Sequence, residues 1–285
     1  MTARNIKIRK PAKSTKKPRG RWLSAASSDP LVLYEKSVQD PHGEVEFIDQ
    51  VWKERRPRLA RTIREDFCGT ALVAKAWVKE RPRNVAYGID LDPRVLDWAR
   101  ERLSQRLKPA QRRRLHLIEG DVLKVRTPPV DTVIALNFSY FLFKTREALR
   151  RYFRSVHAHL ARDGIFICDA YGGSESFEEM KEERDCDGFT YVWDQHMYNP
   201  VTGEVLNHIH FKFPDRTELK NAFTYDWRLW TLPEIREVMQ EAGFSRSTVY
   251  WEGTDESGEE GNGEFSPTEK GDACPGWVSY IVAEK

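Results

Sequence analysis

Ile63-Arg64-Glu65-Asp66-Phe67-Cys68-Gly69-Thr70-Ala71, followed one helical segment later by Tyr87-Gly88-Ile89-Asp90-Leu91-Asp92-Pro93, is the stretch that decides the fold. It reads as a short strand, a tight glycine-bearing turn, a helix, a second strand and a carboxylate at that strand's end. Gly69 and Asp90 lie 21 residues apart. One helix and one return strand carry a chain about 20 residues, the distance at which a βαβ unit sets an acid against a nucleoside ribose. The stretch predicts a nucleoside-containing cofactor.

Outward from it, strand-like runs fall at 61–65, 85–90, 115–120, 131–137 and 164–171, with helix-like runs at 70–80, 93–107 and 145–160 between them. Strands alternating with helices of this length predict an α/β, doubly wound parallel sheet. Upstream, Val45, Ile48, Val51 and Trp52 recur at helical spacing, so 29–60 reads as a helical cap. After Gly173 the pattern changes. Residues 174–188 are acidic and polar, and 189–226 alternate, with Ile209, Phe211 and Phe213 on one side and His208, His210 and Lys212 on the other. This predicts a small antiparallel insertion over 174–230. Thr231-Leu232-Pro233-Glu234 fits a capping box, with Gly243 as the stop. Strands at 247–251 and 276–283 close the chain, and 253–275, rich in Gly and Glu, reads as a mobile loop.

The chain has 285 residues, 40% hydrophobic and 12% aromatic, enough for a substantial core. No apolar run reaches the ~20 residues that span a bilayer, and no apolar leader is visible. Four cysteines without a CxxC pair suggest reduced thiols and a cytoplasmic protein. The net charge of +2 hides nine Lys or Arg, and no acid, within residues 1–28. That segment reads as a disordered basic tail, either a solubilising terminus or an anchor on nucleic-acid phosphates.

The ordered motifs resemble those of the class I S-adenosylmethionine-dependent methyltransferases. Glu65-Asp66-Phe67-Cys68-Gly69-Thr70-Ala71 is similar to the family's glycine loop, Gly88-Ile89-Asp90-Leu91 to its ribose motif and Glu119-Gly120-Asp121-Val122 to its adenine loop. Asn137-Phe138-Ser139-Tyr140 stands at its loop after the fourth strand. The resemblance implies a Rossmann-like seven-stranded sheet with an antiparallel C-terminal hairpin, formed by 61–173 and 231–285. It also implies S-adenosyl-L-methionine as cofactor, with Tyr34, Arg64, Glu65, Cys68, Gly69, Asp90, Leu91, Asp121, Val122 and Asn137 around it. Phe67 and Ala71 replace two of the family's three loop glycines. That argues against a dinucleotide, whose pyrophosphate must approach the loop backbone, more than against a cofactor with no phosphate there.

Several of these residues also have plain structural readings. Asp90 can cap the following helix, Glu65 can pair with an arginine, Cys68 can fill the core, and Tyr34 can simply pack between helices. Tyr140 and Tyr171, at the carboxyl ends of the fourth and fifth strands, are the candidates for orienting a methyl acceptor. No metal is expected, since His208 and His210 lack a carboxylate at a recognisable spacing; a solvated or substrate-facing strand is the reading for them. Tyr225, Trp227, Trp230 and Trp251 are candidates for an acceptor wall or for core. The expected activity is methyl transfer to a nitrogen or oxygen of a small molecule, under a lid formed by 174–230. The alternatives are an RNA methyltransferase using the basic tail and a non-catalytic binder of the cofactor. No membrane partner is expected.

Overall fold

The computed structural model describes residues 23–255 and 261–285. Most of the expected basic tail, residues 1–22, lies outside the described residues. Ala25–Ser27 make one short helical turn, and Ala25 N donates to Thr217 Oγ1 at 2.9 Å.

Two helices follow, α1 (Pro30–Ser37) and α2 (Pro41–Arg55). Each begins on an aspartate whose side chain accepts a first-turn N–H, Asp29 from Leu31 and Asp40 from Gly43, with proline next in the chain. The alternating part runs β1 (Thr62–Asp66), α3 (Leu72–Glu80), β2 (Val85–Asp90), α4 (Pro93–Arg106), α5 (Pro109–Arg112), β3 (Leu115–Glu119), β4 (Val130–Ala135), α6 (Arg146–His159) and β5 (Leu160–Gly172). An antiparallel unit comes next: β6 (Met180–Cys186), β7 (Phe189–Asn199), β8 (Glu204–Lys212) and β9 (Glu218–Arg228). The chain ends with α7 (Leu232–Glu241), β10 (Arg246–Thr254), β11 (Gly261–Thr268) and β12 (Trp277–Glu284).

The main sheet has eight strands in the order β11-β10-β12-β5-β4-β1-β2-β3. The seven expected strands are present, and β11 adds an eighth at the edge, antiparallel to β10. It occupies part of the expected mobile loop 253–275, of which 256–260 lie outside the described residues. Phe265 explains the strand: it is buried against Phe47 and Tyr280, with ring centroids at 5.9 and 4.6 Å. A second correction concerns 174–188, which holds the edge strand β6 of the small sheet, ordered β6-β7-β8-β9. Charged residues suit an exposed edge, and two of them pair across it, Lys181 with Asp194 and Glu183 with Lys212.

Alternate residues of each central strand feed two cores. On one face Val133, Ala135, Phe166 and Cys168 pack with α6, α7 and the inner face of the small sheet. On the other, Ile134, Ile165 and Ile167 pack with α2, α3 and α4. The chain leaves β1 toward β2 and β3, then crosses back to β4 on the far side of β1. This reversal between β1 and β4 opens a crevice at their carboxyl ends, where doubly wound sheets take ligands.

β1 carries three consecutive charged residues into the interior. Arg64 is 1% exposed and its Nε donates to Asp66 Oδ1 at 2.7 Å. Its remaining nitrogens donate to the carbonyls of Val122 (2.9 Å) and Val125 (3.2 Å). Tyr152 Oη donates to Asp66 Oδ2 at 3.0 Å. Arg64 therefore ties the loop after β3 to the centre of the sheet. Removing one partner of a buried pair leaves the other uncompensated, a loss of about 3–5 kcal/mol. Arg64→Ala is expected to lower stability by that amount in urea unfolding, while Tyr152→Phe, which keeps the ion pair, costs about 1 kcal/mol.

Candidate functional site

The turn after β1 is built on left-handed backbone. Phe67, Gly69 and Ala71 have φ of 58°, 51° and 55°. For a residue with a Cβ this conformation costs roughly 1–2 kcal/mol, so the two positions where the family pattern has glycine and this chain does not are strained. Several contacts offset the strain. Cys68 N donates to the Ile89 carbonyl at 2.9 Å, Ala71 N to the Cys68 carbonyl at 2.7 Å, and Gly69 N to Asp90 Oδ2 at 2.8 Å. The Phe67 ring packs on Tyr152 at 5.6 Å. A Cβ built on Gly69 meets nothing within 4 Å, so the turn faces open space.

Asp90 closes the other side of that space. While Oδ2 holds Gly69, Oδ1 accepts Asp92 N at 2.9 Å. A carboxylate carries about four acceptor sites, so lone pairs remain for a ligand. Leu91 beside it is 71% exposed, an apolar surface at the rim. Asp121, partly exposed on the next loop, accepts Leu123 N at 2.9 Å. A turn that leaves open backbone, a carboxylate with spare lone pairs and a bare apolar side chain fit the amino-acid, ribose and base parts of an adenosyl-amino-acid molecule.

Glu65 lies below the turn, with Oε2 accepting Ala74 N at 2.8 Å in the first turn of α3. Burial pushes its carboxyl up to about 8, and the Asp90 charge adds to the effect against the pull of the Ala74 N–H. Cys68 is buried and its Sγ abuts the backbone of β2, where a Cβ on Gly88 would stand 3.0 Å from it. Its thiol is raised well above its ordinary value, mainly by burial. Only its backbone belongs to the turn. Val122 is buried too, its carbonyl held by Arg64.

Across the switch point, Asn137 and Phe138 are both left-handed, with φ of 56° and 58°. Their N–H groups go to one carboxylate, Asn137 N to Asp169 Oδ2 at 2.7 Å and Phe138 N to Asp169 Oδ1 at 2.9 Å. Burial raises Asp169 to about 7, opposed by these N–H groups. Tyr171, on the same strand, accepts Asn207 Nδ2 at 3.2 Å, and its ring lies 4.8 Å from Phe138 and 6.4 Å from Trp193. Trp227 is 6.4 Å from Phe138 and 4.3 Å from Tyr225. The Tyr34 ring is 4.9 Å from Phe223, and its hydroxyl bonds to Tyr225. Burial raises Tyr34, with the charges of Asp169 and Glu44 adding to it.

Gly69, Asp90, Leu91, Asp121 and Asn137 thus lie on turns at the carboxyl edge of the sheet, and Tyr171 and Tyr34 belong to the aromatic cluster packed beside the loop after β4. Two expectations fail on geometry. Arg64 cannot meet a ligand carboxylate, because every nitrogen it offers is engaged inside the sheet. Tyr140 is fully buried and its hydroxyl donates to the Asp169 carbonyl at 2.9 Å, so it orients no acceptor. Trp230 is core, donating to the Phe143 carbonyl, and Trp251 pairs with Trp277 away from the crevice. His208 and His210 are buried on the far face of the small sheet instead of solvated, bonded to Thr224 and Asp194. Among the described residues no group of three His, Cys, Asp or Glu is arranged to hold a metal, and no helix is long and apolar enough to cross a membrane. Sequence reasoning missed Asp169, although a lone carboxylate within Ile165-Phe166-Ile167-Cys168-Asp169-Ala170-Tyr171 was a visible signal.

These features define a doubly wound protein with an open turn and a carboxylate at its switch point. Residues 68–166 match the family model described as a methyltransferase domain. No curated protein matches the sequence. Among solved structures, an S-adenosylmethionine-dependent methyltransferase from Clostridium acetobutylicum is 17% identical, with a TM-score of 0.65 over 89% of this chain and 96% of that one. An amino pentose methyltransferase from Micromonospora echinaspora, involved in calicheamicin biosynthesis, is 18% identical at a TM-score of 0.62, over 89% and 95%. A sugar N-methyltransferase from Streptoalloteichus is 18% identical at 0.60, over 97% and 99%. At these identities the structural likeness is one of fold. The match over residues 68–166 is to a methyltransferase domain, and the fold is shared with S-adenosylmethionine-dependent methyltransferases.

The raised carboxyl of Glu65 has a consequence for stability. A carboxyl near 8 in the folded state and in its ordinary range when unfolded binds more protons folded. Stability therefore falls as pH rises from about 4.5 toward 8 and levels off above. Glu65→Gln is expected to lose several degrees less than the wild type between pH 5 and pH 8 in differential scanning calorimetry.

Proposed function

We propose that this chain transfers the methyl group of S-adenosyl-L-methionine to a nitrogen or oxygen of a small-molecule acceptor seated between the crevice and the small sheet. The observation that carries the proposal is the aromatic cluster beside the loop after β4: Phe138 and Tyr171 on the main-sheet side, Trp193, Tyr225 and Trp227 on the small sheet. Aromatic faces suit the sulfonium through cation–π attraction and stack on the apolar faces of ring-shaped acceptors. The amino pentose and sugar N-methyltransferases of the same fold support this acceptor class.

In this reading Asp90 holds the ribose hydroxyls, the backbone at Gly69 passes along the amino-acid part, and Glu65 meets its ammonium. Leu91 and Asp121 receive the base, and Asn137 borders the donor across the switch point. Tyr171 and Tyr34 belong to the acceptor wall. The acceptor lone pair attacks the methyl carbon as the carbon–sulfur bond breaks, the thioether leaves, and the acceptor releases a proton. The gain comes from holding the three reacting atoms in line in a site screened from water by residues 174–230. The RNA reading rests on residues 1–28, and 1–22 of these lie outside the described residues.

S-Adenosylhomocysteine is expected to bind in calorimetric titration, and Asp90→Ala to weaken it about 30-fold or more, the loss of charge-assisted hydrogen bonds worth roughly 2–3 kcal/mol. With labelled donor, a panel of amino sugars and small amines and phenols is expected to contain an acceptor, and removal of residues 1–22 to leave that transfer intact. Transfer only to RNA, lost with residues 1–22, overturns the small-molecule reading.

A further inference from the structure

We propose that Asp169 is a positioning residue for the transfer: by accepting the N–H groups of Asn137 and Phe138 together, its carboxylate locks the loop after β4 in the conformation that lines the crevice. The proposal rests on the reading of that crevice given above. Two adjacent non-glycine residues in the left-handed region do not hold that shape by themselves. Each donates to a separate oxygen of one carboxylate, at 2.7 and 2.9 Å. Successive N–H groups of this kind form an anion-binding nest, filled here by a side chain of the protein itself.

The lock is fixed from behind. Tyr140 donates to the Asp169 carbonyl, and Asp169 pairs with Tyr280 in the β5–β12 register. In front, Phe138 spans the two sheets, packing on Tyr171 and Trp227. A shift of the loop backbone therefore moves the cofactor-side residue Asn137 and the acceptor-side residue Phe138 together. No other common side chain fits the role. Asparagine offers one acceptor and points a donor at the second N–H, and glutamate needs one more methylene in a site only 8% exposed. The titratable groups facing the carboxyl are Tyr34 on α1, Tyr140 in the turn after β4 and the neighbouring Cys168. Among the described residues no cation pairs with it. Protonation removes one acceptor, so the lock tightens as Asp169 ionises, with burial setting its midpoint near 7.

S-Adenosylhomocysteine binding tests this without any acceptor, so its failure is distinguishable from failure of the acceptor assignment. Asp169→Asn is expected to keep its far-ultraviolet dichroism and a cooperative melt, yet to bind about 10-fold more weakly at pH 8. The wild type should gain affinity between pH 6 and pH 8.5. The variant should lack the step centred near 7 while keeping any contribution from Glu65. Adding Asn137→Gly should restore part of the loss, since glycine adopts a φ of 56° without strain. Asn137→Gly alone should shrink the wild-type pH dependence, and this arm stands even where Asp169→Asn fails to fold. Wild-type affinity and pH profile in Asp169→Asn, or an unchanged pH dependence in Asn137→Gly, overturns the proposal.

Discussion

Backbone N–H groups at the carboxyl edge of the sheet have to find acceptors, and in this protein side-chain carboxylates supply them. Asp90 takes Gly69 and Asp92, Glu65 takes Ala74, Asp121 takes Leu123, and Asp169 takes Asn137 and Phe138. The opposite edge repeats the device, with Asp131 accepting Arg61 and Thr62. Turns at strand ends cannot satisfy their donors within a ladder, and a buried unpaired donor costs roughly 1–3 kcal/mol. One acid per turn removes that cost and fixes the turn's shape. It also concentrates acceptors around the crevice, which suits the hydroxyls, ammonium and sulfonium of the proposed donor.

The same device accounts for the departure from the glycine-rich loop. Phe67 and Ala71 occupy left-handed backbone that glycine adopts freely. The turn keeps its shape because both its neighbours hold it, Ile89 through Cys68 and Asp90 through Gly69. Phe67 also gains what glycine lacks, a ring packed on Phe143 and Tyr152. The side chain that strains the backbone thus anchors it to α6. At Gly69, added bulk meets no protein atom within 4 Å.

Much of the fold was legible because strand and helix periods follow burial directly. β2 and the helix after it were readable from Val85-Ala86-Tyr87-Gly88-Ile89-Asp90 and from Pro93, and α7 from its capping box. Two edge strands were not. β6 buries none of its residues and β11 only Phe265, so composition makes them look like loops, and their order comes from cross-strand pairing and that one phenylalanine. In the site, Gly69 and Asp90 were readable because spacing encodes them. Arg64 and Tyr140 misled for a common reason. Residue type and strand position say nothing of which partners a side chain meets inside the sheet, and both found theirs on neighbouring backbone carbonyls.

The aromatic side of the crevice is assembled from two pieces of chain that touch each other. α1 meets the small sheet through Tyr34 on Phe223 and Tyr225, and Arg184 reaches the Ser37 carbonyl. The segment before α1 adds the bond from Ala25 to Thr217. On the main-sheet side the same surface is met by Phe138 and Tyr171, both set by the backbone around Asp169. In the proposed reading the cofactor contacts lie on turns of the parallel sheet, while most of the opposing wall belongs to α1 and the small sheet. Such a division lets the wall change to suit a new acceptor without disturbing the donor turns. It also makes the loop after β4, which touches both parts, the element through which either one constrains the other.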